Sequence, residues 1–154
     1  MIAKSTYKKL VKKGFTIAFS ESMTGGFVSA EMVKIPGASN VFLGSIVAYQ
    51  MKSKRDVLGI SGDVLNTYPL VSKEIALEMA RQTYIKFKSD VSVGITGNAG
   101  PTFEPQTHEQ KAYISIKIIE QLYAFEIDLS ELTRLQSIRK TTQFIYRKLD
   151  ELID

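Results

Sequence analysis

Two hydroxyl side chains, Ser22 and Thr24, and two glycines stand together in the segment "ESMTGG", residues 21–26, between an apolar run and an amphipathic one. A strand-to-helix turn of this composition can present Ser22 as a nucleophile to a carbonyl carbon. The N–H groups that follow, made accessible by Gly25 and Gly26, can then hold the developing oxyanion. The other interpretation is structural: Ser22 or Thr24 only caps the next helix. The segment alone leaves both interpretations open.

A serine nucleophile needs a base, and the sequence limits the candidates. The chain has no cysteine and one histidine, His108, which lies in a polar stretch without a carboxylate that is clearly placed to orient it. A lysine is the known alternative to histidine, provided that it is neutral. Lowering a lysine pKa from ~10.4 to about 7 takes roughly 4–5 kcal/mol of differential interaction. Burial or a nearby positive charge can supply this energy.

The segment "AYQMKSKRDVLG", residues 48–59, carries three basic side chains directly after a predicted strand: Lys52, Lys54 and Arg55. Tyr49 ends that strand and is placed to orient a lysine or to relay a proton. A solvated helix face fits the same spacing. The spacing alone does not select one of the basic residues.

A second loop of small residues, "TGNAGP", follows the apolar run "VSVGI". Behind Thr96, Gly97 and its small neighbours can turn several N–H groups toward an anion. The alternative is a tight turn closed by Pro101. A Walker-type phosphate loop is excluded because no Gly-Lys-Ser/Thr follows.

The composition excludes several classes of protein. Without cysteine, and with one histidine in 154 residues, the chain has no disulfide, no thiolate site and no multi-histidine metal centre. An oxygen-ligated magnesium stays open, but we expect no metal and no other cofactor. The net charge of +4 is mild, and the N-terminal lysines suit a solvated helix face better than a nucleic-acid surface.

No stretch of the sequence predicts a membrane span. The longest uncharged stretch, residues 35–51, contains Pro36 and two glycines and is unsuited to crossing a bilayer. The N-terminus has no apolar signal segment. We therefore expect a cytoplasmic protein that binds neither nucleic acid nor membrane.

The elements that must position these loops alternate along the chain. Strands that alternate with helices and end in a hairpin predict a single α/β domain, residues 1–154, with three α/β/α layers around a mixed, mainly parallel sheet. Sites in such sheets lie beyond the carboxyl ends of the parallel strands. Helices are predicted at residues 5–13, 25–33, 52–58, 72–89 and 130–152, the last capped by Ser130, and strands at 15–20, 44–49, 90–96, 112–119 and 122–129.

Taken in order, the motifs resemble one known family. The ordered set is "SESMTGG", "PGASNVFLGSIVAYQMKSK", "LGI", "LVSKEIALEMA" and "TGNAGP". It is similar to the nicotinamide-nucleotide amidase family, also known as the carboxy-terminal domain of the CinA competence/damage-inducible proteins. The resemblance runs from about Phe15 to Pro101 and returns weakly near Arg139. Many members carry an additional amino-terminal domain, whereas this chain begins just before the resemblance. We therefore expect a stand-alone amidase domain.

The resemblance implies an activity and assigns roles to residues. The activity is metal-free hydrolysis of nicotinamide mononucleotide to nicotinic acid mononucleotide and ammonia, by a serine–lysine mechanism. The Glu-Ser-x-Thr-Gly-Gly pattern implies Ser22 as the nucleophile, and the Tyr-x-x-x-x-Lys pattern implies Lys54 as the base beside Tyr49. The implied substrate contacts are Thr24, Gly25, Gly26, Thr96, Gly97 and Arg139, of which Arg139 would meet the phosphate. The expected partners are a small-molecule pyridine nucleotide and further copies of the chain in a homo-oligomer.

The sequence departs from the family pattern after the second loop. Phe103 and Glu104 stand about where the family has two glycines, and "THEQKAY" replaces a Lys-Pro-x-Gly-Thr stretch. A second family arginine is matched only by Arg134, one position out of register. Glu104 is expected to face outward, because it would repel a phosphate, or else the substrate preference differs. A non-catalytic nucleotide-binding or regulatory protein is therefore the alternative, and a basic nucleic-acid binder is a third.

Overall fold

The computed structural model describes residues 1–103 and 109–154, which form a five-stranded sheet covered by helices on both faces. A short 3₁₀ turn, Ala38–Asn40, precedes the second strand. The helices are α1 (Lys4–Lys13), α2 (Phe27–Val33), α3 (Met51–Asp56), α4 (Gly62–Thr67), α5 (Lys73–Phe87) and α6 (Arg134–Leu152), and the strands are β1 (Ile17–Glu21), β2 (Phe42–Val47), β3 (Val91–Gly97), β4 (Lys111–Ile118) and β5 (Gln121–Asp128).

The sheet is mixed, in the order β2-β1-β3-β4-β5. Strand β1 lies in the middle of a parallel trio with β2 and β3. Strand β4 pairs antiparallel with β3, and β5 with β4. The predicted α/β class and the C-terminal hairpin are confirmed. The parallel trio brings the ends of β1, β2 and β3 to one edge of the sheet.

One face of the sheet is covered by α5, which lies unusually close to β3. Ser72 caps this helix, because its side chain accepts a hydrogen bond from the Ile75 N–H. Gly94 on β3 allows the close approach: a Cβ there would lie 2.5 Å from the Ala76 carbonyl oxygen and 2.6 Å from the Ala80 nitrogen. Any side chain at Gly94 would therefore push α5 away from the sheet.

The other face is covered by α1, α2 and α6 around one apolar cluster. Tyr146 of α6 packs edge-on against Phe19 of β1 and donates its hydroxyl to the Val28 carbonyl of α2. Burial raises the pKa of Tyr146, and the charge of Glu21 adds to the shift. Helix α1 turns Leu10 and Thr6 inward and leaves Val11 48% exposed.

The start of the last helix differs from its prediction, and one further helix was not predicted, in both cases for local reasons. The C-terminal helix begins at Arg134, because Thr133 and Gln136 form a capping box there. Ser130 was predicted as its cap, but its N–H and hydroxyl instead donate to the Asp128 carboxylate in a turn. Helix α4 was not predicted. It is short, and Ser61 caps it, because its side chain accepts a hydrogen bond from the Val64 N–H.

No helix within residues 1–103 and 109–154 is long and apolar enough to cross a membrane.

Candidate functional site

Three loops meet where the parallel strands end. Ser22 directly follows β1, and its N–H donates to the Ile95 carbonyl of β3 at 3.1 Å. Tyr49 follows β2, and the loop that begins with Asn98 follows β3. Because β1 is central in the parallel trio, Ser22 lies between the other two loops. The site is thus at the carboxyl edge of the sheet, as expected for this class of fold.

These loops surround a cavity of about 420 Å³. Its volume falls within the range typical of small-molecule sites. Both hydroxyl and basic side chains border it, together with an apolar wall. The lining residues are Ser22, Met23, Tyr49, Lys54, Leu70, Val71, Thr96, Gly97, Asn98, Ala99, Pro101, Thr102, Phe103 and Arg134.

Lys54 and Ser22 are in direct contact at the floor of this cavity. The Lys54 Nζ donates to the Ser22 Oγ at 2.9 Å, and the two residues are 2% and 7% exposed. The same Nζ donates to the Ala48 carbonyl at 2.9 Å and to the Tyr49 carbonyl at 3.0 Å. Two main-chain oxygens therefore fix the direction in which the lysine meets the serine hydroxyl.

Tyr49 contributes to the site in two ways. Its main-chain carbonyl holds Lys54, so the orienting group is the backbone and not the phenol. Its phenol is half-exposed and accepts a hydrogen bond of 2.6 Å from the guanidinium of Arg134. Arg134 also donates to the Gly100 carbonyl at 2.9 Å. The guanidinium thereby joins the β2–α3 loop to the loop after β3 at the cavity wall.

The carboxylate of Glu21 occupies the N-terminus of α2. It accepts hydrogen bonds from the Gly26, Val28 and Ser29 N–H groups at 3.0–3.1 Å, and from the Thr24 hydroxyl at 2.7 Å. Glu21 itself is fully buried. An anionic side chain at a helix N-terminus is favourable because it pairs with otherwise unsatisfied N–H groups. The anion site that the glycines seemed to offer is therefore already filled by the protein.

The structure does not bring Thr24, Gly25 and Gly26 to the cavity. The two glycines adopt left-handed backbone, with φ of 54° and 104°, which the turn into α2 requires. The Gly25 N–H donates to the Ser22 carbonyl at 3.0 Å. With the Gly26 N–H bound to Glu21, neither glycine N–H is available to an oxyanion. Their contacts are with the protein rather than with a ligand.

Thr96 and Gly97 both border the cavity. The Thr96 hydroxyl donates to the Leu70 carbonyl at 2.7 Å, which ties β3 to the segment before α5. Gly97 lies against Met23, since a Cβ there would come within 2.2 Å of the Met23 sulfur. Gly97 thus permits the loop after β3 to reach the residue that follows Ser22.

Arg139 lies away from this cavity. It borders a separate groove with Phe27, Glu31 and Thr142. Five positions correspond to about 140° around a helix axis, so Arg134 and Arg139 point to different sides of α6. The arginine at the Ser22 cavity is Arg134. The structure therefore places Arg134, which matches the family arginine one position out of register, at the Ser22 cavity, and Arg139 outside it.

The expectations for Glu104 and His108 fall outside the described residues. Lys52 and Arg55, the other basic candidates, form exposed ion pairs with Asp56. Over residues 1–103 and 109–154, no three histidine, cysteine, aspartate or glutamate side chains are grouped so that they could hold a metal ion.

Comparison with known sequences identifies similar proteins. The profile of the CinA C-terminal domain matches residues 1–153. A CinA-like protein from Fervidobacterium nodosum is 44% identical over 96 residues, which are 62% of this chain and 24% of that protein. A protein of Lysinibacillus sphaericus named as competence-damage inducible is 30% identical and covers 97% of this chain, which spans 37% of its length. The chain thus spans between a quarter and two fifths of these two relatives.

Comparison with solved structures supports the same fold. The competence/damage inducible protein CihA from Agrobacterium tumefaciens superposes with a TM-score of 0.92 at 25% identity, covering 99% of this chain and 94% of that one. A CinA superfamily protein from Klebsiella pneumoniae gives a TM-score of 0.94 at 18% identity, covering 99% and 95%. The second similarity concerns the fold alone.

Proposed function

Because the chain belongs to the CinA C-terminal domain family, we propose that it is a metal-free amidohydrolase that acts through Ser22 and Lys54. The proposed reaction is hydrolysis of nicotinamide mononucleotide to nicotinic acid mononucleotide and ammonia. The observation that carries the proposal is the buried 2.9 Å contact between the Lys54 Nζ and the Ser22 Oγ. A nucleophile and a base within hydrogen-bond reach are what acyl transfer requires.

Lys54 can serve as the base only as a neutral amine, which has two N–H donors and one lone pair. In the structure its Nζ donates to the Ser22 Oγ and to the Ala48 and Tyr49 carbonyls. An amine that has given up the proton directed at the Ser22 Oγ keeps its two donors on these carbonyls, so its lone pair then faces the serine hydroxyl. The proposed proton transfer from serine to lysine runs along this 2.9 Å contact.

In the first half of the reaction, Lys54 accepts the Ser22 proton while Oγ bonds to the carboxamide carbon. The carbonyl π electrons move to oxygen and form a tetrahedral oxyanion. The oxyanion collapses, the C–N bond breaks, and Lys54 returns the proton to the departing nitrogen. Ammonia leaves and an ester of Ser22 remains, which is the covalent intermediate of nucleophilic catalysis.

In the second half, a water molecule replaces ammonia. Lys54 takes one proton from the water as its oxygen bonds to the ester carbon. The second tetrahedral intermediate then releases the Ser22 oxygen, which recovers its proton from Lys54. The products are the nucleotide carboxylic acid and the free enzyme, so one water is consumed for each ammonia formed.

Arg134 is the proposed contact for the substrate phosphate. A guanidinium binds a phosphate through paired donors that a lysine lacks. The Arg134 side chain borders the cavity and is held by the Tyr49 phenol and the Gly100 carbonyl. A ligand with an amide at one end and a phosphate at the other would be held between Ser22 and Arg134.

Ammonia release from a panel of pyridine nucleotides tests the proposal, with nicotinamide mononucleotide first and free nicotinamide as the unphosphorylated comparison. We expect release from the nucleotide, and we expect it to survive exhaustive treatment with a chelator. Loss in chelator with recovery on adding a divalent ion would contradict the metal-free mechanism. No release from any member of the panel would overturn the proposed activity.

A nucleotide-binding protein without catalysis is the second candidate. The observation that favours it is Phe103, a large side chain that borders the cavity about where the family has glycines. Nucleotide binding by the intact wild-type chain without ammonia release would favour this function over the amidase.

A further inference from the structure

Asn98 is a cavity residue whose side chain the fold leaves unsatisfied. It follows β3 directly and is 5% exposed. Its backbone is fixed, because its N–H donates to the Lys111 carbonyl at 2.8 Å. Its side-chain Nδ2 is buried and has no hydrogen-bond partner among the described residues. Among the described residues, the Ser115 Oγ and the Asp150 Oδ1 are also buried without a hydrogen-bond partner, but neither residue borders the Ser22 cavity.

An unsatisfied buried amide is costly. A buried donor without a partner costs about 1–3 kcal/mol of stability, and folded proteins contain few such groups. An apolar side chain of similar size at position 98 would avoid that cost. The cost is offset if the Asn98 N–H donors find a partner that arrives with a ligand.

The position of Asn98 places it beside the reacting centre. Its neighbour Gly97 lies against Met23, the residue after Ser22. The loop is therefore held next to the nucleophile, and Asn98 borders the same cavity as Ser22. A donor on a fixed backbone is suited to stabilise charge that develops in a transition state.

The two glycines do not supply the donors that the sequence suggested for this role. The Gly25 N–H donates to the Ser22 carbonyl, and the Gly26 N–H donates to Glu21. Attack by Ser22 on a carboxamide leaves a negative oxygen that needs a hydrogen-bond donor. Asn98 has a donor without a partner, in the same cavity.

We propose that the Asn98 Nδ2 is an oxyanion donor: it donates a hydrogen bond to the carboxamide oxygen of a bound pyridine nucleotide. The contact is weak to the neutral amide and strong to the tetrahedral oxyanion. Asn98 is then a catalytic residue for the amide substrate class. The identity of the ligand rests on the proposed function.

The test replaces Asn98 in the intact chain and measures both turnover and stability. In Asn98→Leu, of similar size, kcat for ammonia release from nicotinamide mononucleotide should fall about 10²–10³-fold. The affinity for this nucleotide, measured in a Ser22→Ala background, should fall by a smaller factor of about 2–10. The midpoint of thermal unfolding of the free protein should rise, because the unsatisfied amide is gone. Asn98→Asp keeps the shape but removes the donor and should also lose kcat.

Asn66→Asp is the matched control, at an exposed asparagine outside the cavity, and should keep wild-type kcat. If Asn98→Leu does not fold, Asn98→Ala gives the same comparison without added volume. Wild-type kcat in the Asn98 variants, or a lowered unfolding midpoint in Asn98→Leu, would overturn the inference.

If the wild-type chain binds the nucleotide but releases no ammonia, the proposed function fails, and the contact of Asn98 is then judged by nucleotide affinity. Equal affinities of wild type and Asn98→Leu overturn the contact. A weaker affinity of Asn98→Leu supports it. A wild-type chain that binds no pyridine nucleotide overturns both.

Discussion

The Lys54 Nζ and the Ser22 Oγ are 2.9 Å apart, although 32 positions separate these residues in the chain. Each is held by neighbouring backbone: Ser22 through its N–H to the Ile95 carbonyl, and Lys54 through the Ala48 and Tyr49 carbonyls. The protein backbone thus holds the pair in contact. Preorganisation of this kind lowers the entropic cost of reaching the transition state.

Replacing Ser22 with alanine should abolish ammonia release while leaving the fold intact. Only the attacking oxygen is removed, so we expect kcat to fall by about 10⁴-fold or more. The matched control is Ser20→Ala, two positions earlier on β1. The Ser20 hydroxyl donates to the Met79 carbonyl of α5. The control should lose about 1 kcal/mol of unfolding free energy and keep its turnover. Wild-type turnover in Ser22→Ala would rule out the serine mechanism.

Replacing Lys54 with methionine should remove the base while keeping most of the side-chain volume. We expect kcat to fall about 10²–10⁴-fold, the usual contribution of a general base. Lys52→Met is the control, since Lys52 is 74% exposed and pairs with Asp56. A similar loss in both variants would argue against a specific role for Lys54.

Arg134 and Arg139 should differ in their effect on phosphate binding. Arg134→Ala should weaken binding of nicotinamide mononucleotide about 10–100-fold, because charged hydrogen bonds are lost. It should change the affinity for unphosphorylated nicotinamide much less. Arg139→Ala, on another side of α6, should change neither affinity. Calorimetric titration of both ligands checks this, and the opposite ranking of the two arginines would return the phosphate site to Arg139.

Glu21 should contribute strongly to stability. Glu21→Gln places an amide N–H₂ among donors that need an acceptor, so we expect a loss of about 3 kcal/mol in the free energy of unfolding. Glu31→Gln is the control, because Glu31 makes a surface ion pair with Lys34, and exposed pairs contribute about 0–1 kcal/mol. Urea denaturation of the two variants measures the difference. Equal stabilities would mean that the carboxylate is not what holds the start of α2.

Much of the site could be predicted because local signals and motif spacing agree. The helix predicted from residue 72 is confirmed, and Ser72 caps it. Ser22 was identified from its glycine-rich turn. Lys54 needed the family pattern, since the spacing of basic residues alone does not reveal that one of them is buried. The burial of Lys54 depends on packing between loops that are distant in sequence.

The missed features depend on tertiary contacts that leave no local pattern. Placing the start of α6 at residue 130 instead of Arg134 left the orientation of this helix undetermined, so the sequence pattern did not reveal that Arg134 borders the cavity and Arg139 does not. Glu21 reads as an ordinary strand-end carboxylate, and only the folded turn brings the α2 N–H groups to it. Asn98 reads as a turn residue, and its missing partner is visible only in three dimensions.

The hydrogen bond from Arg134 to Tyr49 has a consequence for the timing of synthesis. The two residues are 85 positions apart, which a ribosome takes roughly 4 to 17 seconds to translate at 5–20 residues per second. Ser22 and Lys54 therefore exist in the nascent chain well before the guanidinium that completes the cavity wall. A growing chain therefore carries both residues of the reactive pair before it gains the charged wall, which forms only when α6 emerges and docks.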